Sequence, residues 1–410
     1  MQNRKIMLFD LSIGGHHPTY IRYLIQYWHQ EQRSEQLSIV VVPKFLTEHA
    51  DVVELAKFYD SQKMNFVAIS SEEESLINSR ETRIQRAFRN FREWKILCKY
   101  ATQLNVDHCL ILYFDTCQQP LTLGLSSPCR FSGIYFRPTL HYSQLKNAQD
   151  RDHNKSSNWL EKFTVSRVLG HPKLQTLFCL DPIAVEYLNH QFKTAAKVIH
   201  LPDPVEPFPP SSLSSSEIRE HLGIEPNRKV FLLFGALTER KGVHQLLEAI
   251  SQLPAQLCEQ ICLLFVGNLT SRIETQFKSQ IQAVCQAKPV QILGNYEYIP
   301  DSAIPNYFQV ADVVLAPYQR HVGMSGILLL AAAAAKPVLS SNYGLMGEMV
   351  KRYQLGLTVD STMPSAIAEG LIRFLQEDSD KLCDRLQMRS FAQQNSAQAF
   401  AELISKHILI

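Results

Sequence analysis

Three glycine-bearing turns hold most of the side chains in this 410-residue chain that could do chemistry. The first turn follows an apolar strand pattern and runs Gly14-Gly15-His16-His17 before a helical pattern. Glycines let the backbone approach a ligand, and a helix N-terminus offers free N–H groups to an anion. Histidine exchanges protons near neutral pH, so His16 and His17 are candidate catalytic residues. A strand-to-helix turn with no ligand is the alternative.

The second turn has the same order of strand, glycine and helix, and it adds two adjacent cations. Gly235 follows a strand pattern, and Arg240 and Lys241 precede the helix. A compact ammonium group and a planar guanidinium group both suit diphosphate oxygens. We therefore predict that these residues bind a phosphorylated ligand; a solvated basic turn is the alternative.

The third turn lies between a strand pattern and a run of alanines. It contains Tyr318 and His321, followed by Gly323-Met324-Ser325-Gly326. Ser325 is the predicted N-cap of the next helix, in which case Gly323 to Gly326 would present backbone N–H groups to a phosphate. That helix is apolar all round and is predicted to be buried, which explains the alanines but not the turn before them.

A fourth candidate group follows a strand pattern of the first half, where Arg137 and His141 lie close together. Either could take part in a catalytic step, the arginine through its charge and the histidine through proton exchange. A histidine after a strand more often serves as a structural hydrogen-bonding group, and that is the alternative.

Short β-rich apolar runs alternate with longer helical patterns on both sides of a proline-rich stretch. Such alternation indicates parallel strands covered by helices. The predicted strands are Ile6–Phe9, Leu37–Val42, Phe66–Ile69, Cys109–Tyr113, Ile134–Phe136 and Leu177–Leu180, then Val230–Phe234, Ile261–Val266, Val290–Leu293, Val313–Ala316, Pro337–Leu339 and Gly356–Asp360. Leu201–Pro210 suits neither a helix nor a central strand, so we predict two doubly wound α/β domains joined there. The helical stretch Met363–Ile404 has no strand partner.

Composition excludes several classes of protein. Lys and Arg number 41 and Asp and Glu 39, and a net charge of +2 does not indicate a nucleic-acid partner. The nine cysteines show no Cys-x-x-Cys pair, which indicates reduced core residues in a cytoplasmic protein and no metal site. The longest uncharged apolar run, Ile327–Ala335, is about half of the roughly 20 residues that a membrane span needs.

The segment Glu81–Ala101 combines basic residues with an aromatic face at helical spacing. The basic residues are Arg83, Arg86, Arg89, Arg92, Lys95 and Lys99, and the apolar ones are Ile84, Phe88, Phe91, Trp94 and Cys98. Such a helix can lie on an anionic membrane surface, which would make the protein peripheral at the inner face of a membrane. Packing on its own domain, with the arginines in water, is the alternative.

The second half resembles family-four glycosyltransferases of the GT-B fold, most closely from Val230 to Asp360. The matching motifs are Phe234-Gly235 before Lys241-Gly242, Val266-Gly267, Gly294 ahead of Ala311-Asp312-Val313-Val314-Leu315-Ala316-Pro317, and Lys336-Pro337-Val338. Gly14-Gly15 and Leu201-Pro202-Asp203-Pro204 are also similar to that family.

The resemblance implies two Rossmann-like lobes with a cleft between them. The acceptor lobe would span residues 1–204, the nucleotide-sugar donor lobe residues 205–390, and a C-terminal helix over residues 391–410 would cross back to the first lobe.

The resemblance also implies roles for the candidate residues. Lys241 would bind the donor diphosphate, Ser325-Gly326 would lie against the phosphates, and the loop after Gly294 would hold the nucleobase. The full predicted donor-binding set is Gly14, Gly15, Gly235, Arg240, Lys241, Gly294, Tyr296, Tyr318, His321, Gly323, Met324, Ser325 and Gly326. A nucleotide diphosphate sugar is the implied co-substrate, with no metal and no other cofactor.

Two departures from the family pattern affect donor recognition. Ala236 stands where the family has an arginine, for which Arg240 could substitute. The family's Glu-x7-Glu pair falls on Val322 and Leu330, so no carboxylate can make the usual sugar-hydroxyl and ribose contacts. Either donor recognition differs or catalysis is lost.

The sequence favours a metal-independent, retaining transferase whose acceptor is a glycan, a lipid-linked molecule or a small molecule. A GT-B-shaped binding or scaffold protein without activity is the second hypothesis, and a sugar-nucleotide epimerase is the third. Release of nucleoside diphosphate only in the presence of an acceptor would separate the first from the others.

Overall fold

The computed structural model describes residues 4–77, 82–142, 155–209 and 213–409. These residues divide into two compact units, each built around its own parallel β-sheet. The first unit comprises the described residues up to His141, residues 155–204 and the residues from Ala397 onward. The second comprises Tyr142 and the described residues from Val205 to Ser396.

Seven parallel strands form the sheet of the first unit. They are β1 (Lys5–Phe9), β2 (Gln36–Val41), β3 (Met64–Ala68), β4 (His108–Ile111), β5 (Arg130–Tyr135), β6 (Leu174–Cys179) and β7 (Lys197–His200). Their order across the sheet is β3-β2-β1-β4-β5-β6-β7, so the direction of winding reverses beside β1. The helices up to the end of β7 are α1 (His17–Gln30), α2 (Pro43–Glu48), α3 (Ala50–Asp60), α4 (Ser71–Ile77), α5 (Arg83–Gln103), α6 (Gln118–Thr122), α7 (Lys155–Leu169) and α8 (Pro182–Gln191).

Six parallel strands form the sheet of the second unit. They are β8 (Lys229–Phe234), β9 (Ile261–Val266), β10 (Gln291–Asn295), β11 (Val313–Ala316), β12 (Val338–Ser341) and β13 (Gly356–Val359), in the order β10-β9-β8-β11-β12-β13. The helices are α9 (Ser215–His221), α10 (Val243–Gln252), α11 (Ala255–Cys258), α12 (Ser271–Ala287), α13 (Ile304–Val310), α14 (Ile327–Ala333), α15 (Gly344–Arg352), α16 (Pro364–Gln376), α17 (Ser379–Leu382) and α18 (Arg385–Gln394), and α19 (Ala397–Ile408) returns to the first unit.

The two parallel sheets confirm the predicted α/β doubly wound fold. The strands at 261–266 and 313–316 have the predicted bounds, and the other predicted strands differ at their ends by a few residues. Strand β7 was not predicted, because it is a four-residue edge strand in which only Val198 is buried and so has little apolar pattern. The stretch Met363–Ile404 is four helices, α16 to α19, rather than one.

Helix α5 begins two residues later than the predicted start at Glu81, which itself lies outside the described residues. The Thr82 hydroxyl accepts the N–H of Gln85 at 3.2 Å, and the Gln85 side chain accepts the N–H of Thr82 at 2.8 Å. This reciprocal capping satisfies two backbone donors that the first helical turn leaves without partners, and it sets the start of the helix.

The proline-rich stretch after β7 is extended and is held at two points. The hydroxyl of Tyr20 in α1 donates to the Asp203 carboxylate at 2.6 Å within the first unit. The N–H of Val205 donates to the carbonyl of Asn395 at 2.7 Å within the second unit. The change of unit therefore lies at residues 204–205, next to the predicted boundary.

Helix α19 belongs to the core of the first unit. Phe400, Ala401 and Ile404 are fully buried there, and Phe400 packs on Tyr20 with a ring distance of 4.7 Å. Residues 391–396 belong to the second unit, since Phe391 packs against Tyr353 at 4.3 Å. The returning segment thus begins at Ala397 rather than at residue 391.

We expect Ile404→Ala to lower the free energy of unfolding of the first unit by about 2–5 kcal/mol, because it leaves a cavity in a closed core. All three tryptophans, Trp28, Trp94 and Trp159, lie in the first unit, so their fluorescence during urea unfolding reports on that unit alone. Glu402→Ala on the exposed face of α19 is the control and should change little. An Ile404→Ala transition that matched the control would contradict the packing of α19 in this core.

Candidate functional site

The second turn buries its lysine instead of presenting it at the surface. Lys241 ends a short 3-10 helix, Glu239–Lys241, and is only 6% exposed. Its Nζ donates to the carbonyl of Phe234 at 2.7 Å and to the hydroxyl of Tyr318. Burial lowers the pKa of the ammonium group, and Tyr318 opposes that shift. The ammonium group is therefore enclosed at the carboxyl end of β8, with the Phe234 carbonyl and the Tyr318 hydroxyl as its acceptors.

Tyr318 connects the second turn to the third. Its hydroxyl hydrogen-bonds the Ser325 Oγ at 3.0 Å, while its ring lies 4.6 Å from the Lys241 ammonium and 5.0 Å from the Arg240 guanidinium. A ring face this close to two cations stabilises both of them. The structure thus brings Arg240, Lys241, Tyr318 and Ser325 into one cluster at the carboxyl edge of the second sheet.

The Lys241 ammonium group packs close to Gly235. The φ of Gly235 is +100°, and a Cβ at this position would lie 3.0 Å from Lys241 Nζ. Apart from the neighbouring residues in the chain, that Cβ would meet only Lys241 atoms within 4 Å among the described residues. A side chain at residue 235 would therefore crowd the ammonium group, so the glycine lets the lysine lie against the end of β8.

The predicted role of Ser325 as an N-cap is wrong. Helix α14 starts at Ile327 after Gly326, and no side chain caps it. Gly326 already has helical dihedral angles, so the helical conformation begins one residue after Ser325. The Ser325 hydroxyl hydrogen-bonds Tyr318 instead.

Within the third turn, His321 forms a hydrogen bond with Met324. His321 Nε2 lies 3.1 Å from the carbonyl of Met324, and burial, opposed by that contact, lowers the histidine pKa. Gly323 is half-buried beside the His321 ring, with 3.8 Å between the ring and a Cβ placed on it. The turn is thus folded on itself through His321.

Gly294 lies within strand β10, one residue before the strand ends and the predicted loop follows. A Cβ on Gly294 would come within 2.2 Å of the Tyr296 ring, so the tyrosine folds back over the glycine. Tyr296 also meets Phe277 edge to face at 6.0 Å. Its ring therefore packs on the second core, and the loop that follows β10 begins at Tyr296.

Position 322 has a structural role. Val322 is 6% exposed, and its carbonyl accepts the N–H of Leu345 at 2.7 Å. A Cβ on Gly344 would lie 2.6 Å from the Val322 backbone, so these two segments are in close contact. Leu330 is half-buried in α14. Val322 and Leu330, which stand where the family has its two glutamates, are thus apolar side chains, and the backbone around Val322 is closely packed.

In the first unit, the carboxyl end of β1 holds a carboxylate–imidazole pair. Asp10 is 2% exposed, and its Oδ2 lies 2.7 Å from His17 Nδ1. Burial opposes the charged form of His17, but the hydrogen bond and the charge of Asp10 outweigh it, so the His17 pKa is raised. This arrangement keeps His17 protonated to a higher pH than an ordinary histidine, and a protonated imidazole donates hydrogen bonds rather than accepting a proton.

The pKa of His16 is lowered, whereas that of His17 is raised. His16 stacks on Phe136 at 5.2 Å and beside His17 at 5.4 Å. Burial of the ring and the neighbouring His17 lower its pKa to about 4, against the charge of Asp10. Of the two adjacent histidines, His16 is the neutral one near pH 7. Gly14 and Gly15 before it are exposed, and a Cβ on either would meet nothing within 4 Å among the described residues.

Asp115 is a polar residue that the sequence analysis missed. It follows β4, and its carboxylate accepts the N–H groups of Phe136 at 2.9 Å and Arg137 at 3.0 Å. Burial raises its pKa to about 6, against those hydrogen bonds and the Arg137 charge. It also contributes to the raised pKa of His17. Its position in the short 3-10 helix Phe114–Cys117 that follows β4 was the available signal.

Arg137 is exposed after β5, whereas His141 is not accessible. His141 is 1% exposed, and its Nε2 lies 2.8 Å from Asp181 Oδ2. The other Asp181 oxygen accepts the N–H groups of Ile183 and Ala184, so this carboxylate caps α8. The structural alternative therefore describes His141 better than the predicted catalytic role, because a side chain enclosed in this way cannot touch a substrate.

Among the residues that the structure describes, no group of three or more His, Cys, Asp and Glu side chains is arranged to hold a metal ion. No described helix is long and apolar enough to cross a membrane.

The Asp10–His17 pair predicts a pH-dependent contribution to stability. A raised histidine pKa stabilises the folded state fully below the unfolded value of about 6.5, and this contribution is lost as the pH rises through the folded-state pKa. Asp10→Asn should therefore destabilise the first unit more at pH 6 than at pH 9 in urea unfolding followed by tryptophan fluorescence. Asp107→Asn, which removes a carboxylate that accepts the Lys5 N–H at 2.8 Å, should show no such trend over this range. An Asp10→Asn deficit that is independent of pH would contradict the charged pair.

Comparison with known proteins gives the family of the second unit. Residues 214–394 match the model of glycosyl transferases group 1. The processive diacylglycerol α-glucosyltransferase of Acholeplasma laidlawii is 30% identical over 118 residues, which are 29% of this chain and 32% of that protein. The lipopolysaccharide 1,2-N-acetylglucosaminetransferase of Salmonella typhimurium is 28% identical over 194 residues, 45% of this chain and 50% of that protein. The chain thus spans half or less of the length of these relatives.

Solved structures match over nearly the whole chain. Sucrose-phosphate synthase from Thermosynechococcus elongatus has a TM-score of 0.69 at 16% identity and covers 98% of both chains. Anabaena HepE in complex with UDP has a TM-score of 0.65 at 15% identity, again over 98% of both chains. These identities are low, so the likeness concerns the fold. Residues 214–394 form a domain of the glycosyl transferases group 1 family, in a chain that has the GT-B glycosyltransferase fold.

Proposed function

We propose that this chain is a glycosyltransferase that moves a sugar from a nucleotide diphosphate donor to a glycan, lipid-linked or small-molecule acceptor. The observation that carries the proposal is the buried Lys241 ammonium group, which donates to Phe234 and Tyr318 and shares the Tyr318 ring with the Arg240 guanidinium. Two cations held together at the carboxyl end of a strand suit the diphosphate of a sugar nucleotide. The group 1 family match over the same unit supports this interpretation.

In this proposal, the residues of the cluster have different tasks. Lys241 has three N–H donors, of which Phe234 and Tyr318 accept two, and in the proposal the third donates to a phosphate oxygen. Arg240 adds a second positive charge from the exposed side. Tyr318 and Ser325 hold Lys241 and the turn at residues 323–326 in a fixed relation. Positive charges fixed in advance stabilise the negative charge that develops on a departing nucleoside diphosphate.

We propose that this transfer needs no metal ion, since the two cations can supply the charge that a metal would otherwise provide. Retention of the anomeric configuration belongs to the same proposal and rests on the resemblance to family four. NMR of the product sugar would decide it, because an inverted anomeric proton would contradict retention.

The proposed acceptor-side groups lie at the carboxyl end of the first sheet. His17, whose pKa Asp10 raises, is suited to donate a hydrogen bond, and exposed Arg137 is suited to an anionic group. His16, with a pKa of about 4, is neutral near pH 7, so its imidazole can accept a hydrogen bond but is a weak base. His141 has no role in the proposed acceptor site, because its side chain is enclosed.

Lipid-linked glycans are among the proposed acceptors because two relatives are named for diacylglycerol and lipopolysaccharide substrates. Such acceptors lie at a membrane, and the basic residues of α5 favour contact with its inner face. We propose a cytoplasmic location on the same grounds, which the nine free cysteines support.

Replacing Lys241 by Met should weaken binding of UDP, or of whichever nucleoside diphosphate binds the wild-type chain, by roughly 10- to 100-fold. It removes a charge-assisted hydrogen bond worth on the order of 1.5–3 kcal/mol and keeps most of the side-chain volume. Isothermal titration with UDP, GDP, ADP and dTDP would measure the change and identify the nucleotide.

Lys336→Met is the matched control. Lys336 is half-buried, and like Lys241 its Nζ donates to a backbone carbonyl, that of Gln309, at 3.0 Å. It precedes β12 and so lies at the opposite end of the sheet from Gly235. Equal nucleotide affinity for Lys241→Met and wild type would remove the proposed phosphate site. Nucleotide binding without acceptor-dependent release of nucleoside diphosphate would favour the binding-protein hypothesis.

A further inference from the structure

The hydroxyl group of Tyr318 is enclosed between a cation and a second hydroxyl group. Tyr318 is 1% exposed, so its hydroxyl is closed off from bulk water. The Lys241 ammonium group donates to the Tyr318 oxygen, and the Ser325 Oγ lies 3.0 Å from that oxygen. Among the described residues, the Tyr318 hydroxyl has no third hydrogen-bonding partner. The direction of its proton therefore depends on these two contacts.

The donors and acceptors of these groups fix that direction. An ammonium group has three N–H donors and no acceptor. The contact with Lys241 therefore uses a lone pair of the Tyr318 oxygen and leaves the phenolic O–H to donate elsewhere. A buried O–H without an acceptor is costly, and the Ser325 Oγ is the acceptor within reach. Tyr318 therefore donates to Ser325.

The direction of the Ser325 proton follows from that donation. Because the Ser325 Oγ accepts the Tyr318 proton, its own O–H points away from Tyr318. Ser325 is half-buried, and its O–H has no acceptor among the residues that the structure describes. The hydrogen bonds thus run in one direction, from Lys241 through Tyr318 to Ser325. A positive charge at one end of such a chain polarises each bond in it.

The backbone on both sides of Tyr318 is held by hydrogen bonds, so the ring cannot move aside easily. The Ser361 hydroxyl donates to the Tyr318 carbonyl at 2.8 Å. The N–H of Gln319 donates to the Arg240 carbonyl at 2.8 Å, and its side-chain amide donates to the Ser361 carbonyl at 2.6 Å. The position of the Tyr318 hydroxyl relative to the second turn is therefore fixed before any ligand binds.

We infer that Tyr318 is a positioning residue that turns the Ser325 hydroxyl proton toward the ligand, so that Ser325 acts there as a hydrogen-bond donor. The ligand group that contacts Ser325 is then an acceptor, such as an ionised phosphate oxygen. The inference deepens the proposed function, on which the identity of the ligand rests. The direction of the two hydroxyl protons does not depend on that function.

Neutron diffraction from deuterium-exchanged crystals of the full chain, without nucleotide, tests this direction. We expect a deuterium atom on the Tyr318 hydroxyl oxygen, pointing at the Ser325 Oγ, and the Ser325 deuterium directed away from Tyr318. A Ser325 deuterium that points at Tyr318 would overturn the inference. This measurement needs no variant and no ligand. If the wild-type chain binds no nucleoside diphosphate, the proposed function fails, and the neutron map alone decides the inference.

Titration with UDP tests the effect on binding, using Tyr318→Phe, Ser325→Ala and the double variant. Tyr318→Phe keeps the ring beside both cations and removes only the hydroxyl group. We expect each single change to weaken UDP binding roughly 3- to 10-fold, as the loss of one hydrogen bond would. In the double variant the two losses should be less than additive, because both changes interrupt one chain. Fully additive losses would contradict the orienting role of Tyr318.

The pH dependence of UDP affinity separates this role from simple packing. Burial lowers the Lys241 pKa, and Tyr318 opposes that shift. Without the hydroxyl group the pKa falls further, so the ammonium group loses its proton at a lower pH. As the pH rises from 7 to 10, the affinity of Tyr318→Phe should therefore fall at a lower pH than that of the wild type. Identical pH profiles would overturn the inference.

Tyr353→Phe is the matched control. It removes the hydroxyl group of a half-buried tyrosine in the same unit, whose ring packs on Phe391 at 4.3 Å. Tyr353 precedes β13 and so lies at the opposite edge of the sheet from Tyr318. This variant should keep the UDP affinity and the pH profile of the wild type, and a loss equal to that of Tyr318→Phe would contradict the specific role of Tyr318.

Discussion

The buried ammonium group of Lys241 is the constraint on which the arrangement of the second unit's candidate site depends. A charge taken out of water is costly unless polar partners replace the water. Here the Phe234 carbonyl and the Tyr318 hydroxyl replace it, and the Tyr318 ring lies 4.6 Å away. These contacts require Tyr318 to be almost fully buried, at 1% exposure, which in turn fixes Ser325 through the tyrosine hydroxyl. One buried charge thus links a turn after β8 to a turn after β11.

Two glycines make this burial possible. Gly242, directly after Lys241, has a φ of +73°, and a Cβ there would lie 2.1 Å from the carbonyl oxygen of Pro317. A side chain at this position would push the strand end that carries Tyr318 away from the lysine. Gly235, on the other side, has no side chain to crowd the ammonium group, since a Cβ there would lie 3.0 Å from Lys241 Nζ. The Lys-Gly pair and the strand-end glycine are therefore parts of one arrangement.

The first unit also buries a charged side chain beside a polar partner, but there the buried charge is negative. Asp10 is buried at the end of β1, and His17 supplies its partner at 2.7 Å. Asp115, after β4, uses its two oxygens to hold the backbone at Phe136 and Arg137. Each unit therefore has its buried charge at the carboxyl edge of its sheet, where the turns of a doubly wound fold converge.

The sequence by itself determined the fold class, because strand and helix periodicity and the proline-rich stretch are local signals. It also identified Gly235, Arg240, Lys241 and Ser325 as related residues, since chain order places each of them after a strand. Strand β7 escaped notice because an edge strand buries too little to show a pattern. Only the tertiary structure decided which side chains face one another. It enclosed His141 with Asp181, turned Ser325 toward Tyr318 instead of the helix end, and brought Asp115 to residues 136–137. These outcomes depend on contacts between residues distant in the chain, which local periodicity does not contain.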